Sequence, residues 1–599
     1  MNNSTFLSLC EIFEKIENTK KRLEIQEILT EYLKCVIQTD TESLVPALYL
    51  CTGAIAPECQ AKELGVGDGG LLKVVSEATG QSTKFVRSEL MKTGDLGLIA
   101  MKYRVKQLFI VKKFPLRIKD LFNSLHAISN EKGMKSQNSK LSKMLGLVSK
   151  CTPLETKYLI RIFEGKLKIG LALKTVLISL AQATASREND ISDCVDNIKL
   201  AYNIMPIFER IVPLILQHGP LNILEYVDIT PGIPLKPMLA QPSKNISAVF
   251  KRINTEPYTC EYKYDGERAQ IHRNGSEFKI FSRNSEDLTQ KYPDLLEISK
   301  FNDANYIIDC EIVAFDQETH KILPFQTLST RKRRDVKLDS IKVTICVFVF
   351  DVLYFKDSSV INLPLHKRKQ ILKENFIEKK GVFEFAKSIE GQGDIDAIEP
   401  FFNLSLKDGC EGLMIKNLNE VYMPSKRSTN WLKLKKDYLE GLCDSLDLVV
   451  MGAYYGKGKR TGTYGGFLMG CYDDDNDCYE AICKLGTGFS EQKLKEIYDK
   501  LIKIETGKPR RYVYTEGVQP DVWIENRVVW EIRAAGLSLS PIYSAGAKLM
   551  DGKGISLRFP RFIRERPDKT CNDCSLSSDV VRMYYESTNE DENLEDSFN

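Results

Sequence analysis

The run Glu261-Tyr262-Lys263-Tyr264-Asp265-Gly266-Glu267-Arg268 reads as a strand entering a tight turn, with one lysine between acidic neighbours and an arginine beyond it. A lysine amine attacks phosphorus only when neutral, and from an ordinary pKa of about 10.4 deprotonation at pH 7 costs about 4–5 kcal/mol. A nucleophilic Lys263 therefore needs burial, neighbouring cations or a bound metal ion to lower its pKa. Cations follow in strand-like segments. Arg268 comes after the turn, Arg283 stands in Ser282-Arg283-Asn284, and Lys416 ends Glu411-Gly412-Leu413-Met414-Ile415-Lys416. Lys433 and Lys435 lie in Trp431-Leu432-Lys433-Leu434-Lys435 and share a face, because strand side chains repeat every two residues. Glu311, inside the apolar run 307–313, and Glu411 call for a metal ion or an ion pair, because a charge is rarely left alone in an apolar strand. Phe350, beside Asp351, reads as core.

These residues need a scaffold. From 258 to about 442, strand-like runs at 258–262, 269–272, 278–282, 307–315, 343–355 and 412–416 alternate with helical stretches such as 365–374, as in a mixed α/β domain. Before it, residues 6–224 carry apolar positions at three- and four-residue spacing, for example 29–37, 157–163 and 173–183, the pattern of an all-α domain. Gly-rich turns at 65–70, 94–97 and 165–170 connect its helices, and the last adds Lys166 and Lys168. The segment Pro231-Gly232-Ile233-Pro234-Leu235-Lys236-Pro237 excludes regular helix and marks a boundary. After about Ser445, short strands at 446–454, 466–472 and 479–485 separated by glycine turns suggest a small β-barrel. The expected architecture is multidomain: helices over 1–230, an α+β domain over 238–443, a barrel over 445–585, and an acidic, disordered tail over 586–599.

Composition narrows the class. With 599 residues, 43% hydrophobic and 28% charged, the chain can fold as three or four domains. Its 84 Lys+Arg against 81 Asp+Glu mean that any nucleic-acid surface comes from local clustering and not from global excess. The first residues fit neither a secretory nor a mitochondrial leader, and the longest apolar run, 343–355, is short and interrupted by Asp351, so an intracellular protein outside the membrane is expected. Sixteen irregularly spaced cysteines argue for reduced thiols, and Cys571 and Cys574 read as two surface thiols near the tail.

The joint order of lysine turn, Ser-Arg-Asn, buried glutamate, Phe-Asp strand, Glu-Gly strand ending in lysine and Lys-x-Lys strand resembles the covalent nucleotidyltransferase superfamily of ATP-dependent DNA ligases, RNA ligases and capping enzymes. The segment Ile555-Ser556-Leu557-Arg558-Phe559-Pro560-Arg561-Phe562-Ile563-Arg564-Glu565-Arg566-Pro567-Asp568-Lys569 looks like the last ligase motif. Together with 63–73, 165–171, 231–240 and 446–470 it makes the chain similar to eukaryotic ATP-dependent DNA ligases of the ligase I type over about residues 6–585.

The resemblance implies an all-α DNA-binding domain, a nucleotidyltransferase (adenylation) domain and an OB-fold domain. It implies ATP and Mg²⁺ as cofactors and nicked double-stranded DNA as partner. Lys263 would take AMP from ATP, pass it to the 5′-phosphate of the nick, and the 3′-hydroxyl would then displace it. By motif, Glu261 would contact adenine and Phe350 stack on it, while Arg268 and Arg283 would meet the ribose and substrate phosphates. Lys416, Lys433 and Lys435 would bind the α-phosphate, and Glu311 and Glu411 would hold metal or ribose. Arg564, Arg566 and Lys569 would orient the leaving pyrophosphate, with a hinge around 435–446. Lys166 and Lys168 are the first candidates for duplex contacts. A nuclear monomer is implied. A sliding clamp is a possible partner, although no clamp peptide is recognisable. The basic cluster at 331–334 reads as a solvated or DNA-facing loop before an import signal. The competing readings are an RNA ligase or a capping-type nucleotidyltransferase, of which GTP-dependent labelling would favour the capping type, and a non-catalytic nick-binding scaffold, which predicts a broken motif.

Overall fold

Apolar residues at three- and four-residue spacing fold the first third of the chain into helices, from Phe6–Glu17 to Phe208–Asn222. The computed structural model describes residues 4–593 other than 105–114, 134–135, 187–189, 244–245, 254–255, 297–301, 333–335, 337, 339–340, 393–395, 436–444, 457, 508, 510 and 551. Helix Phe6–Glu17 starts where the Thr5 side chain accepts from the Ser8 N–H, and it buries Phe6, Leu9, Cys10, Phe13 and Ile16 along one stripe. Helix Pro153–Phe163 opens with a Thr152/Glu155 capping box and a proline at its first turn. It buries Lys157 and Arg161, which Glu14 and Glu17 answer at 2.6 and 2.7 Å. The turn after it carries Lys168 at φ 59°, paired with Glu164 at 3.1 Å, while Lys166 is exposed.

Two sheets follow, built from β1 (Leu239–Pro242), β2 (Pro257–Lys263), β3 (Glu267–Asn274), β4 (Glu277–Ser282), β5 (Tyr306–Ala314), β6 (Ile345–Phe355), β7 (Ser358–Ser359), β8 (Phe383–Phe385), β9 (Ser388–Gln392), β10 (Gly412–Asn417) and β11 (Arg427–Lys435). One sheet runs β1-β11-β10-β2-β9, and the other runs β4-β3-β5-β6-β7 with β8 also on β6. Helix Leu365–Asn375 packs on β6, and helix Ile398–Lys407 packs on β2 and β10. The run read as a strand over 343–355 is β6. Its apolar side chains, with those of β3 and β5, form a core around Ile271, Ile308, Cys310, Val347 and Val349.

The chain divides into two compact units, Met1–Arg87 with Leu96–Tyr438, and Ser88–Asp95 with Leu439–Asn599. Apart from Ser88–Asp95, the N-terminal helical region and both of these sheets belong to the first. In the second, β12 (Ser445–Tyr455) pairs with β13 (Tyr464–Asp473), β17 (Val522–Ile524) and β18 (Val529–Arg533). Around them lie β14 (Cys478–Leu485), β15 (Glu505–Thr506), β16 (Tyr512–Val513) and β21 (Arg561–Glu565), with β19 (Gly536–Ser540) and β20 (Gly554–Arg558) as a separate pair. Bulges in β12 let one long strand serve three partners.

Three expectations are corrected here. Cys571 and Cys574 are not surface thiols but are buried against Tyr479 and Trp523. The tail is helical as far as Asn593 (Ser577–Asn593), where Val580 and Val581 join the core, and 594–599 fall outside the described residues. Arg331 is not solvated. It is buried, pairs with Asp294 at 2.5 Å and lies over the Tyr292 ring, while Arg333 and Arg334 fall outside the described residues.

Candidate active site

Strand register brings the sequence-expected residues onto one face. Lys263, Gly412 and Lys435 stand abreast on β2, β10 and β11, and one step along stand Glu261, Met414 and Lys433. Lys416 and Trp431 form the next row between β10 and β11. Two glycines make the close approach possible. At Gly412, with φ 139°, a Cβ would lie 2.2 Å from the Leu434 carbonyl oxygen, and at Gly266 it would lie 2.3 Å from that of Ile312.

The facing sheet supplies the other wall. Arg268 is opposite Glu311, which is opposite Phe348. Asp309 pairs with Asp351 and Cys310 with Val349, so Phe350 is the extra residue of a bulge in β6. The bulge gives Phe350 a part-buried place in the cavity wall, where it also meets the Trp431 ring at 6.4 Å, edge to face. Phe350 is therefore not pure core. Both walls enclose a cavity of about 440 Å³ lined by Glu261, Lys263, Arg268, Arg283, Glu311, Phe350, Glu411, Lys416, Lys433 and Lys435.

The charges inside it are paired in a definite way. Glu411 Oε2 lies 2.5 Å from Lys263 Nζ and 2.7 Å from Lys435 Nζ, and the Glu411 N–H donates to the Lys263 carbonyl at 2.8 Å. Glu261 receives Lys416 at 2.5 Å and Lys369 at 2.9 Å. Arg268 forks onto Asp309 at 2.7 and 3.0 Å and also donates to the Met238 carbonyl. Arg283 is exposed at the rim, and among the described residues its guanidinium has no ion pair.

This pairing reverses one expectation. Burial acts to lower the Lys263 pKa, but the carboxylates of Glu411, Glu311 and Asp265 act the other way and hold it above its ordinary value. The cations expected to depress it are engaged elsewhere, Arg268 by Asp309 and Lys416 by Glu261. Burial pushes Glu311 up to about 7; Lys263 and Arg268 oppose the shift, and Glu411 and Asp309 add to it. Burial likewise acts to raise Glu411, but Lys263 and Lys435 hold it below the usual carboxylate range. Lys416 is only 1% exposed and is lowered by burial against the pull of Glu261; its ammonium has no well-aligned hydrogen bond among the described residues.

These features fit a bound nucleotide and a divalent cation. Lys416 Nζ, 4.4 Å from the Phe350 ring centre, keeps donor capacity for a phosphate oxygen. Glu311 and Glu411 are carboxylates from the two facing walls of one cavity, the first raised to about 7 by burial and the second paired through Oε2 with Lys263 and Lys435.

Sequence reasoning missed Lys369, which donates to Glu261 and to the Thr259 hydroxyl from helix Leu365–Asn375. Its neighbour Arg368, wholly buried, forks onto Asp351 at 2.7 and 2.9 Å. Nothing in the type of Lys367-Arg368-Lys369 singles them out; the signal available was the spacing of Arg368 and Lys369 from Leu365 and Leu372, which places them on the packed side. Arg564 and Lys569 are in the other unit, where Arg564 meets Glu531 at 2.6 Å and Lys569 meets Asp447 at 2.7 Å. The hinge expected around 435–446 falls mostly outside the described residues.

The family model described as ATP dependent DNA ligase domain matches residues 237–435, DNA ligase N terminus matches 5–181, and ATP dependent DNA ligase C terminal region matches 460–569. The chain belongs to the ATP-dependent DNA ligases, with their helical N-terminal, adenylation and OB-fold architecture. DNA ligase 1 of Schizosaccharomyces pombe is 45% identical, covering 97% of this chain and 78% of that protein, and DNA ligase 1 of Drosophila melanogaster is 43% identical over 97% and 80%. Within the family, this chain is of the eukaryotic DNA ligase I type. An archaeal relative, DNA ligase of Sulfurisphaera tokodaii, is 34% identical over 97% of both chains. The solved structure called Pmar-Lig_PreS3 shares the fold at a TM-score of 0.54 and 16% identity, over 93% of this chain and 99% of that one.

Proposed function

We propose that this chain seals nicks in duplex DNA, using ATP and Mg²⁺, with Lys263 as the group that carries AMP. The observation that supports this best is the row Lys263, Gly412, Lys435 with Glu411 between the two ammonium groups, in the same cavity as Phe350 and Glu261. In the first step the Lys263 amine attacks the α-phosphorus of ATP, the P–N bond forms, and pyrophosphate leaves. AMP then passes to the 5′-phosphate of the nick, and the 3′-hydroxyl displaces it to close the backbone.

The residues divide this work. Lys416, Lys433 and Lys435 face the α-phosphate as fixed cations, so the charge that develops on its oxygens meets donors already in place. Phe350 offers a ring face to adenine, and Glu261 accepts from the base edge. Arg283 reaches the substrate phosphates from the rim, and Arg268, locked by Asp309, shapes the wall beside the ribose. Glu411 holds the Lys263 ammonium at 2.5 Å, so it positions the amine. Glu311 and Glu411 are the residues that would hold Mg²⁺ or the ribose, and the ion's charge would offset that of the phosphates and lower the pKa of a neighbouring lysine. Arg564, Arg566 and Lys569 are the cations for the leaving pyrophosphate.

Residues 1–230, 238–443 and 445–585 are the DNA-binding, adenylation and OB-fold domains in this reading, and replication and repair in the nucleus are its setting. Sealing of a singly nicked, labelled duplex with ATP and Mg²⁺ tests the proposal, with Lys263→Ala alongside. Sealing by wild type alone supports it. AMP uptake without sealing of DNA would move the assignment to an RNA ligase, and no nucleotide uptake would leave a binding scaffold.

A further inference from the structure

We infer that Lys369 is a positioning residue for base selection: from outside the cavity it holds Glu261 as an acceptor-only carboxylate that takes adenine and rejects a 6-oxopurine. The inference rests on the reading that Glu261 meets the base edge.

The geometry assigns the role. Glu261 is 2% exposed on β2 and lines the cavity, whereas Lys369 does not line it. Lys369 Nζ sits between Glu261 Oε1 at 2.9 Å, Thr259 Oγ1 at 3.0 Å and Ser388 Oγ at 3.4 Å, and Ser388 is the β9 partner of Glu261 in register. Lys416 takes the other oxygen at 2.5 Å. An ammonium only donates, so a carboxylate held at both oxygens by lysines has only lone pairs left to offer. Adenine presents an N6–H₂ donor at the position where guanine or hypoxanthine presents an O6 acceptor. An acceptor fixed there binds the first and repels the second.

Lys416 cannot be the residue that sets this choice alone, because it also lines the cavity and faces the phosphate side. Lys369 has no such second duty. The same helix braces the opposite wall, since adjacent Arg368 forks onto Asp351, the residue after Phe350. Consecutive residues of one helix thus fix both the acceptor and the stacking ring, which ties the spacing of the base slot to helix Leu365–Asn375.

The test is the ratio of kcat/KM for lysine adenylation with ATP to that of nucleotidylation with ITP, measured on the full chain. Lys369→Met is expected to lower the ATP:ITP ratio by at least about tenfold, the factor matching one charge-assisted hydrogen bond, with Lys369→Arg restoring most of it. A purely structural loss would depress both nucleotides alike and leave the ratio within about twofold of wild type; that result, in a variant that melts as wild type, overturns the inference. Glu261→Gln separates the two readings. A collapsed ratio there with an unchanged ratio in Lys369→Met removes Lys369 and keeps Glu261 as base reader. An unchanged ratio in Glu261→Gln removes the base-reading role and the inference with it.

Discussion

On the face of β2, β10 and β11, Lys263, Lys435 and Lys416 are answered by Glu411 and Glu261 inside a cavity, with Lys416 and Glu261 almost wholly buried. In the segment 561–569 of the second unit, Arg564 meets Glu531 with 61% of its side chain exposed, and Arg566 and Lys569 share Asp447. The difference lies in what it takes to change partners. A buried pair cannot lose one member without stranding a charge, so its geometry is fixed before any ligand arrives. An exposed pair such as Arg564–Glu531 is worth less than about 1 kcal/mol and can exchange its carboxylate for a phosphate. The first arrangement suits a group that must stay in place through three chemical steps. The second suits cations needed for one.

The largest effect expected is at the nucleophile: Lys263→Ala lowers AMP uptake by at least about 10⁴-fold with little change in melting, as measured by radiolabel transfer from ATP. Retained uptake in that variant would erase the distinction between the two regions. Next comes the buried brace. Arg368→Met strands Asp351 and destabilises the first unit by about 3–5 kcal/mol in chemical denaturation.

Glu311 sharpens the comparison through pH. Its pKa in the fold, about 7, is above the ordinary 4.5, so the folded protein resists its ionisation. Below pH 4.5 this group is protonated in both states and makes no difference; as pH rises from 4.5 through 7 it takes stability away. In EDTA, Glu311→Gln is therefore expected to stabilise the chain at pH 8 by on the order of 3 kcal/mol and to have no effect at pH 4. A lower melting temperature for that variant at pH 8 would show that Glu311 is satisfied without a metal ion. The smallest expected change is in the second unit. Arg564→Ala shifts stability by less than about 1 kcal/mol, and both Arg564→Ala and Lys569→Ala lower AMP uptake by about 10²-fold and leave sealing of a pre-adenylated nick near wild type.

Much of the site was legible because strand chemistry is periodic. Alternation in 431–435 put Lys433 and Lys435 on one face, and an acid in an otherwise apolar run marked Glu311. Less legible was whatever depends on register or on a partner distant in the chain. The Phe350 bulge is a mismatch between two strands and leaves no trace in either alone. The sign of the Lys263 shift depends on Glu411, 148 positions away, being closer than any free cation. Lys369 was hidden by its charged neighbours, since a basic helix segment looks solvated until its apolar anchors are placed. Cys571 and Cys574 were misread for the same reason: a CxxC near a polar tail gave no sign that both side chains enter the apolar cluster of Val449, Tyr479 and Trp523.

The most direct test is to map the adduct. Wild-type protein is exposed to ATP and Mg²⁺, digested and examined by peptide mass spectrometry, and a second portion is chased with nicked duplex. The account predicts one AMP on the peptide containing Lys263, lost on addition of nicked DNA as sealed strand appears. AMP on another residue, or AMP on Lys263 that nicked DNA fails to discharge, would contradict it.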